Sequence, residues 1–126
     1  MSIGVIFYVL FALLLKHLII DFPVYSSYGS RDITTPHRPI WYIHIVLHGI
    51  ATMFILYMMS FPFLVCVSLG MLDLISHYLI DSVSAFFGVK CRYNLEYSRR
   101  FSWIVNMDQF LHSVVYACLT FILVLV

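Results

Sequence analysis

Hydrophobic residues along this chain neither alternate with polar ones nor break into short amphipathic runs; they gather into four long apolar segments, at about 2–22, 40–60, 63–89 and 101–126. Each comes close to the roughly twenty residues an α-helix needs to cross the hydrocarbon core of a bilayer. Lipid offers no partners to backbone N–H and C=O groups, so long segments without alternation satisfy them as helices rather than as barrel strands. The pattern predicts an all-α fold, an integral membrane four-helix bundle with short loops, occupying residues 1–126 as a single domain.

The breaks between segments carry turn chemistry. Pro23, Gly29, Pro36 and Pro39 punctuate the first connection, and Ser60-Phe61-Pro62 forms a tight turn that makes the second and third helices antiparallel neighbours. The first twenty residues lack the basic start and small-residue cleavage site of a secretory signal, and they are read as a retained first helix.

Composition agrees with this pattern: 63% of residues are hydrophobic and 10% charged, far from the roughly 25% charged residues of a soluble globular chain. A net charge of +1 gives no sign of a nucleic-acid partner, and the lipid bilayer is the expected surrounding. The basic residues are unevenly placed. Arg31 and Arg38 lie in the first connection and Lys90, Arg92, Arg99 and Arg100 around the third, while Lys16 is close enough to the end of its helix to snorkel toward the same side. By the positive-inside rule that side is cytoplasmic and both termini are non-cytoplasmic. Cys66, Cys91 and Cys118 form no close pair, and Cys66 and Cys118 are read as small hydrophobes.

The chemistry lies in the ionisable residues inside the apolar segments. The first holds His17 and Asp21, the second His44 and His48, the third Asp73, His77 and Asp81, and the fourth Asp108 and His112. Every spacing is four, so on each helix these side chains project from one face. Counting about 1.5 Å per residue, His17, His44 and His48 lie roughly 6–12 Å from the first-connection ends of their helices; His77, Asp81, Asp108 and His112 lie roughly 10–18 Å from the third-connection ends. The four stripes therefore meet at one depth. The opposite halves of the helices carry no ionisable side chain.

A charged side chain within a spanning helix costs roughly 2.5–3.5 kcal/mol even on the lenient insertion scale, so it faces the protein interior with a partner. A divalent transition ion neutralises carboxylates and uses imidazole lone pairs, which makes His17, Asp21, His44, His48, His77, Asp81, Asp108 and His112 candidate metal ligands. These exceed the positions of one ion, so one or two are expected, zinc before manganese or iron. Asp73, the deepest, is assigned either a place behind the ligands or a catalytic role in proton transfer. A metal-free network of Asp and His hydrogen bonds is the structural alternative. A proton or ion pathway is disfavoured because the helices beyond Asp73 and His112 are apolar. Among the other residues, Gln109 is placed to orient a ligand, Ser113 and Ala117 read as a helix-packing notch, and His37 as a solvated loop histidine.

The stretches His17-Leu18-Ile19-Ile20-Asp21-Phe22, Pro36-His37-Arg38-Pro39 running into His44 through Thr52, Asp73 through Asp81, and Asp108-Gln109-Phe110-Leu111-His112 span nearly the whole chain. In order and spacing they resemble a family of small bacterial and bacteriophage integral membrane proteins known as a domain of unknown function. Members often carry a glutamine four residues after the first aspartate and a lysine three residues after the last aspartate of the third helix, where this chain has Tyr25 and Ser84. The resemblance implies a bacterial inner-membrane location and a chain that phages encode. A looser similarity is to membrane-bound metal-dependent hydrolases, which also place His and Asp on apolar helices.

The leading expectation is a metal-dependent hydrolase acting on a lipid or other amphiphilic ester or phosphoester near the cytoplasmic leaflet. The alternative is a phage-encoded, non-enzymatic membrane protein that uses a structural metal or polar network and binds or inhibits a host membrane component. A di-iron oxidoreductase ranks lower, since such bundles use glutamates and a Glu-x-x-His spacing of three. A homo-oligomer is compatible with so short a bundle.

Overall fold

Each apolar segment folds as a helix because its backbone groups find partners only within the segment, and the order is α1 (Ile3–Ile33), α2 (Pro39–Met58), α3 (Phe63–Cys91) and α4 (Tyr97–Leu125). This computed structural model describes the backbone of residues 2–33, 39–91 and 97–125 and the side chains of 2–21, 39–87, 103–104 and 106–125. No strand occurs among the described residues. Stretches long and apolar enough to cross a membrane run over Ile3–Asp21, Pro39–Met58, Phe63–Phe87 and Asn106–Leu125.

The helix ends differ from the expected boundaries in an informative way. The apolar stretch of α1 stops at Asp21, as the sequence pattern indicates, yet the helix runs through Pro23 to Ile33. A proline removes one N–H donor and does not by itself end a helix, and hydropathy marks where lipid contact ends rather than where helical backbone ends. For the same reason α3 continues to Cys91 and α4 starts at Tyr97, beyond the apolar runs. The side chains of Tyr25, Arg31, His37, Arg38, Lys90, Cys91, Arg92, Arg99 and Arg100 lie outside those described, and with them the basic collar expected from the sequence.

α2 and α3 are joined by the tight turn the sequence predicts, and its hydrogen bonds define it. Phe61 N–H donates to Leu56 O at 3.2 Å and Ser60 N–H to Tyr57 O at 2.9 Å, while Ser60 takes a φ of 65°. This is a Schellman cap, and Phe61 packs against the same apolar cluster as Leu56. Ser60 occupies a left-handed position that glycine favours. Ser60→Gly is expected to raise stability by about 1 kcal/mol, seen as a higher melting temperature in detergent; an unchanged or lower value would contradict the cap.

The helices form a ring in which α1 packs on α2, α2 on α3, α3 on α4 and α4 on α1, while the α1–α3 diagonal is bridged by side chains, as Lys16 and His17 reach Asp73 and His77. α2 and α3 approach most closely at Gly49 and Gly70, where a Cβ on Gly49 would stand 2.9 Å from Leu74 Cβ and 3.0 Å from Gly70 O. The packing notch is therefore here. Ser113 and Ala117 on α4 are exposed, so they do not form the notch expected of them within the bundle.

Each helix buries one stripe at spacings of three and four, such as Trp41, His44, Ile45, His48, Gly49, Thr52 and Leu56 on α2. On every stripe one end is apolar, although Trp41, Ile45 and Ala85 are also buried beside the ionisable residues. Since successive helices run antiparallel, these ends coincide: Val9, Leu13, Leu56, Cys66, Leu69, Tyr116, Leu119 and Leu123 form one buried cluster. The ionisable ends coincide in the other half. Outward-facing side chains are large and apolar, including Phe7, Phe11, Leu18, Phe54, Leu64, Phe86, Phe110 and Phe121, as a lipid-facing surface requires. Hydroxyls on this surface return to their own backbone, as Ser68 and Ser113 do to the carbonyls four residues earlier.

Candidate metal centre

The ring brings together every histidine and aspartate that the four-residue spacing singled out. His77 lies in the middle, its ring centroid 3.9 Å from that of His48, 4.1 Å from His112, 5.4 Å from His17 and 6.0 Å from His44. Five imidazoles in contact inside an apolar bundle are hard to account for by packing alone, since each carries a nitrogen lone pair that costs free energy when buried without a partner.

The carboxylates surround this group on the side of the first and third connections. Asp21 Oδ1 is 3.1 Å from His48 Nε2 and 3.5 Å from His44 Nε2, and its Oδ2 is 3.2 Å from His17 Nε2. Asp81 Oδ1 lies 3.5 Å from His112 Nε2 and its Oδ2 3.9 Å from His44 Nε2. His44 thus stands between two carboxylates from different helices. Asp108 Oδ2 is 3.6 Å from His112 Nδ1, and Asp108 Oδ1 accepts from Ser84 Oγ at 2.6 Å. Ser84 is one of the positions where this chain departs from the resembled pattern, and here it anchors a carboxylate. The Asp21, Asp81 and Asp108 side chains are 12–15% exposed, whereas those of His48, His77 and His112 are 2% or less.

Three sets of ligand atoms lie within 4.8 Å of one another: His17, His48 and His77; Asp21, His44 and His48; and Asp81, Asp108 and His112. The second and third share no residue, so each can act independently. Four buried ring nitrogens, His44 Nδ1, His48 Nδ1, His77 Nε2 and His112 Nε2, have no hydrogen-bond partner. Buried polar atoms are almost always satisfied, and an unsatisfied group calls for an explanation such as an ion. The donor set, imidazole nitrogen with carboxylate oxygen, suits zinc, manganese or iron. The groupings could hold a metal, and the residues present fit one.

Two of the candidate site residues, the candidate ligand His17 and the deeper Asp73, already have other partners. His17 has both nitrogens engaged, Nδ1 with Tyr116 Oη at 3.0 Å and Nε2 with Gln109 Oε1 at 3.1 Å. Asp73 is fully buried; its Oδ2 accepts from Thr52 Oγ1 at 2.6 Å and from Lys16 Nζ, and its Oδ1 is 3.4 Å from His77 Nδ1. Gln109 contacts three of the candidate residues: besides meeting His17, its Nε2 donates to Asp21 Oδ2 at 3.5 Å and to Asp108 Oδ2 at 3.4 Å.

Lys16 corrects the sequence expectation. Rather than snorkelling outward, it is 6% exposed and pairs with Asp73 at the deep end of the site. Sequence reasoning also passed over Thr52 and Tyr116, both fully buried. A signal was present: Thr52 follows His48, and Tyr116 follows His112, by the same four residues that space the rest of each stripe.

With this geometry in view, the comparisons with known proteins gain meaning. The pattern of the family described as protein of unknown function DUF3307 matches residues 9–126, from the first buried apolar position through all nine ionisable site residues. The chain belongs to this family. No match was found among curated proteins or among solved structures. Family membership brings no activity with it, and the chemistry of the site carries the functional argument.

Proposed function

We propose that the protein is a membrane-embedded, metal-dependent hydrolase acting on a lipid or other amphiphilic ester or phosphoester, in a bacterial inner membrane with its basic connections on the cytoplasmic side. The observation that carries this reading is the gathering of imidazole nitrogens and carboxylate oxygens from all four helices into sets whose atoms lie within 4.8 Å of one another. Lys16 cancels one of the four carboxylates, the fully buried Asp73, and leaves Asp21, Asp81 and Asp108 without a lysine or arginine partner among the described residues. Divalent cations would supply the missing charge. His44 and His48 with Asp21 would hold one ion, and His112 with Asp81 and Asp108 a second, while His77 groups with His17 and His48.

A bound divalent transition ion supplies Lewis acidity, polarising a carbonyl or phosphoryl oxygen and making bound water acidic. The protein's own part is placement and exclusion. Gln109 fixes Asp21, Asp108 and His17 relative to one another. Ser84 restrains Asp108. The apolar cluster beyond Asp73 closes the far side against water. The partly exposed carboxylates mark the side on which a substrate's polar group would meet the centre. This also favours a terminated site over a continuous proton or ion pathway.

One observation favours a second reading, a structural metal in a non-enzymatic membrane protein that binds a host component. His48, His77 and His112 are nearly sealed, and structural sites are closed while catalytic ones keep an open position.

Elemental analysis of detergent-purified protein tests the proposal. The wild type is expected to carry about one to two divalent transition ions per chain, with His48→Ala and Asp81→Ala each losing metal. Hydrolysis of lipid esters and phosphoesters should then depend on the metal and fail in the same variants. A folded, metal-free wild type from metal-replete medium would overturn the reading, and a loaded protein without hydrolytic activity would favour the structural alternative.

A further inference from the structure

The deep end of the site contains a cation belonging to the chain itself. Lys16 directs its ammonium toward three oxygens: His48 O at 3.0 Å, Thr52 Oγ1 at 2.8 Å, and Asp73 Oδ2. An ammonium has three protons, and each finds one acceptor. Thr52, having accepted from Lys16, donates its own hydroxyl hydrogen bond to Asp73 Oδ2 at 2.6 Å. The ammonium also stands 4.9 Å from the centroid of the Tyr116 ring, whose hydroxyl meets His17. Asp73, Thr52, His77 and Tyr116 are all fully buried.

Donor accounting then fixes a proton elsewhere. With Oδ2 occupied by Lys16 and Thr52, Asp73 has Oδ1 left for His77 Nδ1 at 3.4 Å. An ionised carboxylate only accepts, so the hydrogen of a neutral His77 resides on Nδ1 and the lone pair on Nε2. That Nε2 is one of the four buried nitrogens without a partner. A carboxylate behind a histidine that selects its tautomer and raises its basicity is a recurring support for metal-binding imidazoles.

We propose that Lys16 and Thr52 are positioning residues that clamp the Asp73 carboxylate, so that Asp73 holds His77 in its Nδ1–H tautomer and presents Nε2 as a metal donor. The final step, use of Nε2 by a metal, rests on the metal reading above; the tautomer lock does not. Asp73 is then neither a ligand nor an acid–base group, because both of its oxygens are committed to holding other residues. The arrangement also explains why a lysine is kept within an apolar helix beside a histidine cluster, where it would otherwise repel an incoming cation: its charge is spent on Asp73.

Nitrogen-15 NMR of the imidazoles in metal-free protein at neutral pH reads the tautomer directly. Wild-type His77 is expected in the Nδ1–H form. Lys16→Met and Thr52→Val should shift it toward a mixture, and Thr52→Ser, which restores the hydroxyl, should return it. Thr52→Val removes one hydroxyl at nearly constant shape and keeps the test open if Lys16→Met does not fold. In parallel, competition with a chelator should show metal binding about 10- to 100-fold weaker in Thr52→Val than in Thr52→Ser. A mixed or Nε2–H wild-type His77, or a tautomer unmoved in variants that merely melt earlier, overturns the proposal whatever the metal content. A lock that responds as expected in a protein that takes up no metal upholds the clamp and overturns the metal reading instead.

Discussion

Lys16→Met is expected to lower the unfolding free energy by about 3–5 kcal/mol, the cost of stranding one partner of a buried ion pair. The effect comes from what is left behind. Asp73 is fully buried, and without the ammonium its Oδ2 keeps only the Thr52 hydroxyl. A carboxylate in that position either stays charged in a medium that solvates it poorly or takes up a proton, and both outcomes penalise the folded state. Lys16→Met combined with Asp73→Asn removes both charges and should recover most of the loss, because the pair as a unit is nearly balanced between attraction and desolvation. Unfolding in mixed micelles compares the three proteins. A Lys16→Met variant as stable as wild type would mean that the ammonium is not in the Asp73 cage, whereas a double variant no better than the single one would mean that the lysine's contacts with His48 O and Tyr116 matter more than its charge.

Gly49→Ala is expected to cost about 1–3 kcal/mol, the usual penalty for one methyl group forced into a filled space, and to reduce metal content as well. The added Cβ would meet Leu74 Cβ at 2.9 Å and the Gly70 carbonyl at 3.0 Å, and neither is the flexible end of a side chain that could turn aside. The helices must separate instead. His48 directly precedes Gly49 in sequence, and Asp73, which holds His77, directly precedes Leu74, so separation at this point moves His48 and the Asp73–His77 pair away from each other. Gly4→Ala is the control: its Cβ would meet nothing nearer than Ser2 Oγ at 4.0 Å, so both stability and metal content should match wild type. Loss of stability in Gly49→Ala with metal retained would show that the centre does not depend on this close approach.

Much of the fold was legible because two signals in the sequence reinforce each other. Apolar length indicated helices, and the spacing of four between His17 and Asp21, His44 and His48, His77 and Asp81, and Asp108 and His112 indicated which face of each helix turns inward. Depth counting then required the stripes to meet, and the ring contacts centred on His77 show that they do. The role of Lys16 was hidden because a lysine near a helix end has two low-energy options, to reach water or to meet a buried anion, and its position in sequence does not choose between them. The choice was made by Asp73 on another helix. The division of labour among the histidines was equally hidden, since whether a ring nitrogen is free or engaged depends on neighbours such as Gln109 and Tyr116, which reach His17 across the bundle. The end of α1 was misplaced for a third reason, that the apolar stretch stops at Asp21 whereas the helix continues through Pro23.

The apolar cluster of Val9, Leu13, Leu56, Cys66, Leu69, Tyr116, Leu119 and Leu123 fills one half of the bundle, and the carboxylates of Asp21, Asp81 and Asp108, which keep some exposure among the described residues, lie in the other. In electrical terms, a bundle of this shape in a bilayer is a blind cup. An ion entering it moves part of the way through the membrane field and goes no further. The full drop is worth about 2.3 kcal/mol per elementary charge for each 100 mV, so a divalent ion that traverses even a fraction of it gains or loses free energy with the membrane potential. Occupancy of such a centre by a cation, with no current flowing, would thereby be tied to the energised state of the membrane.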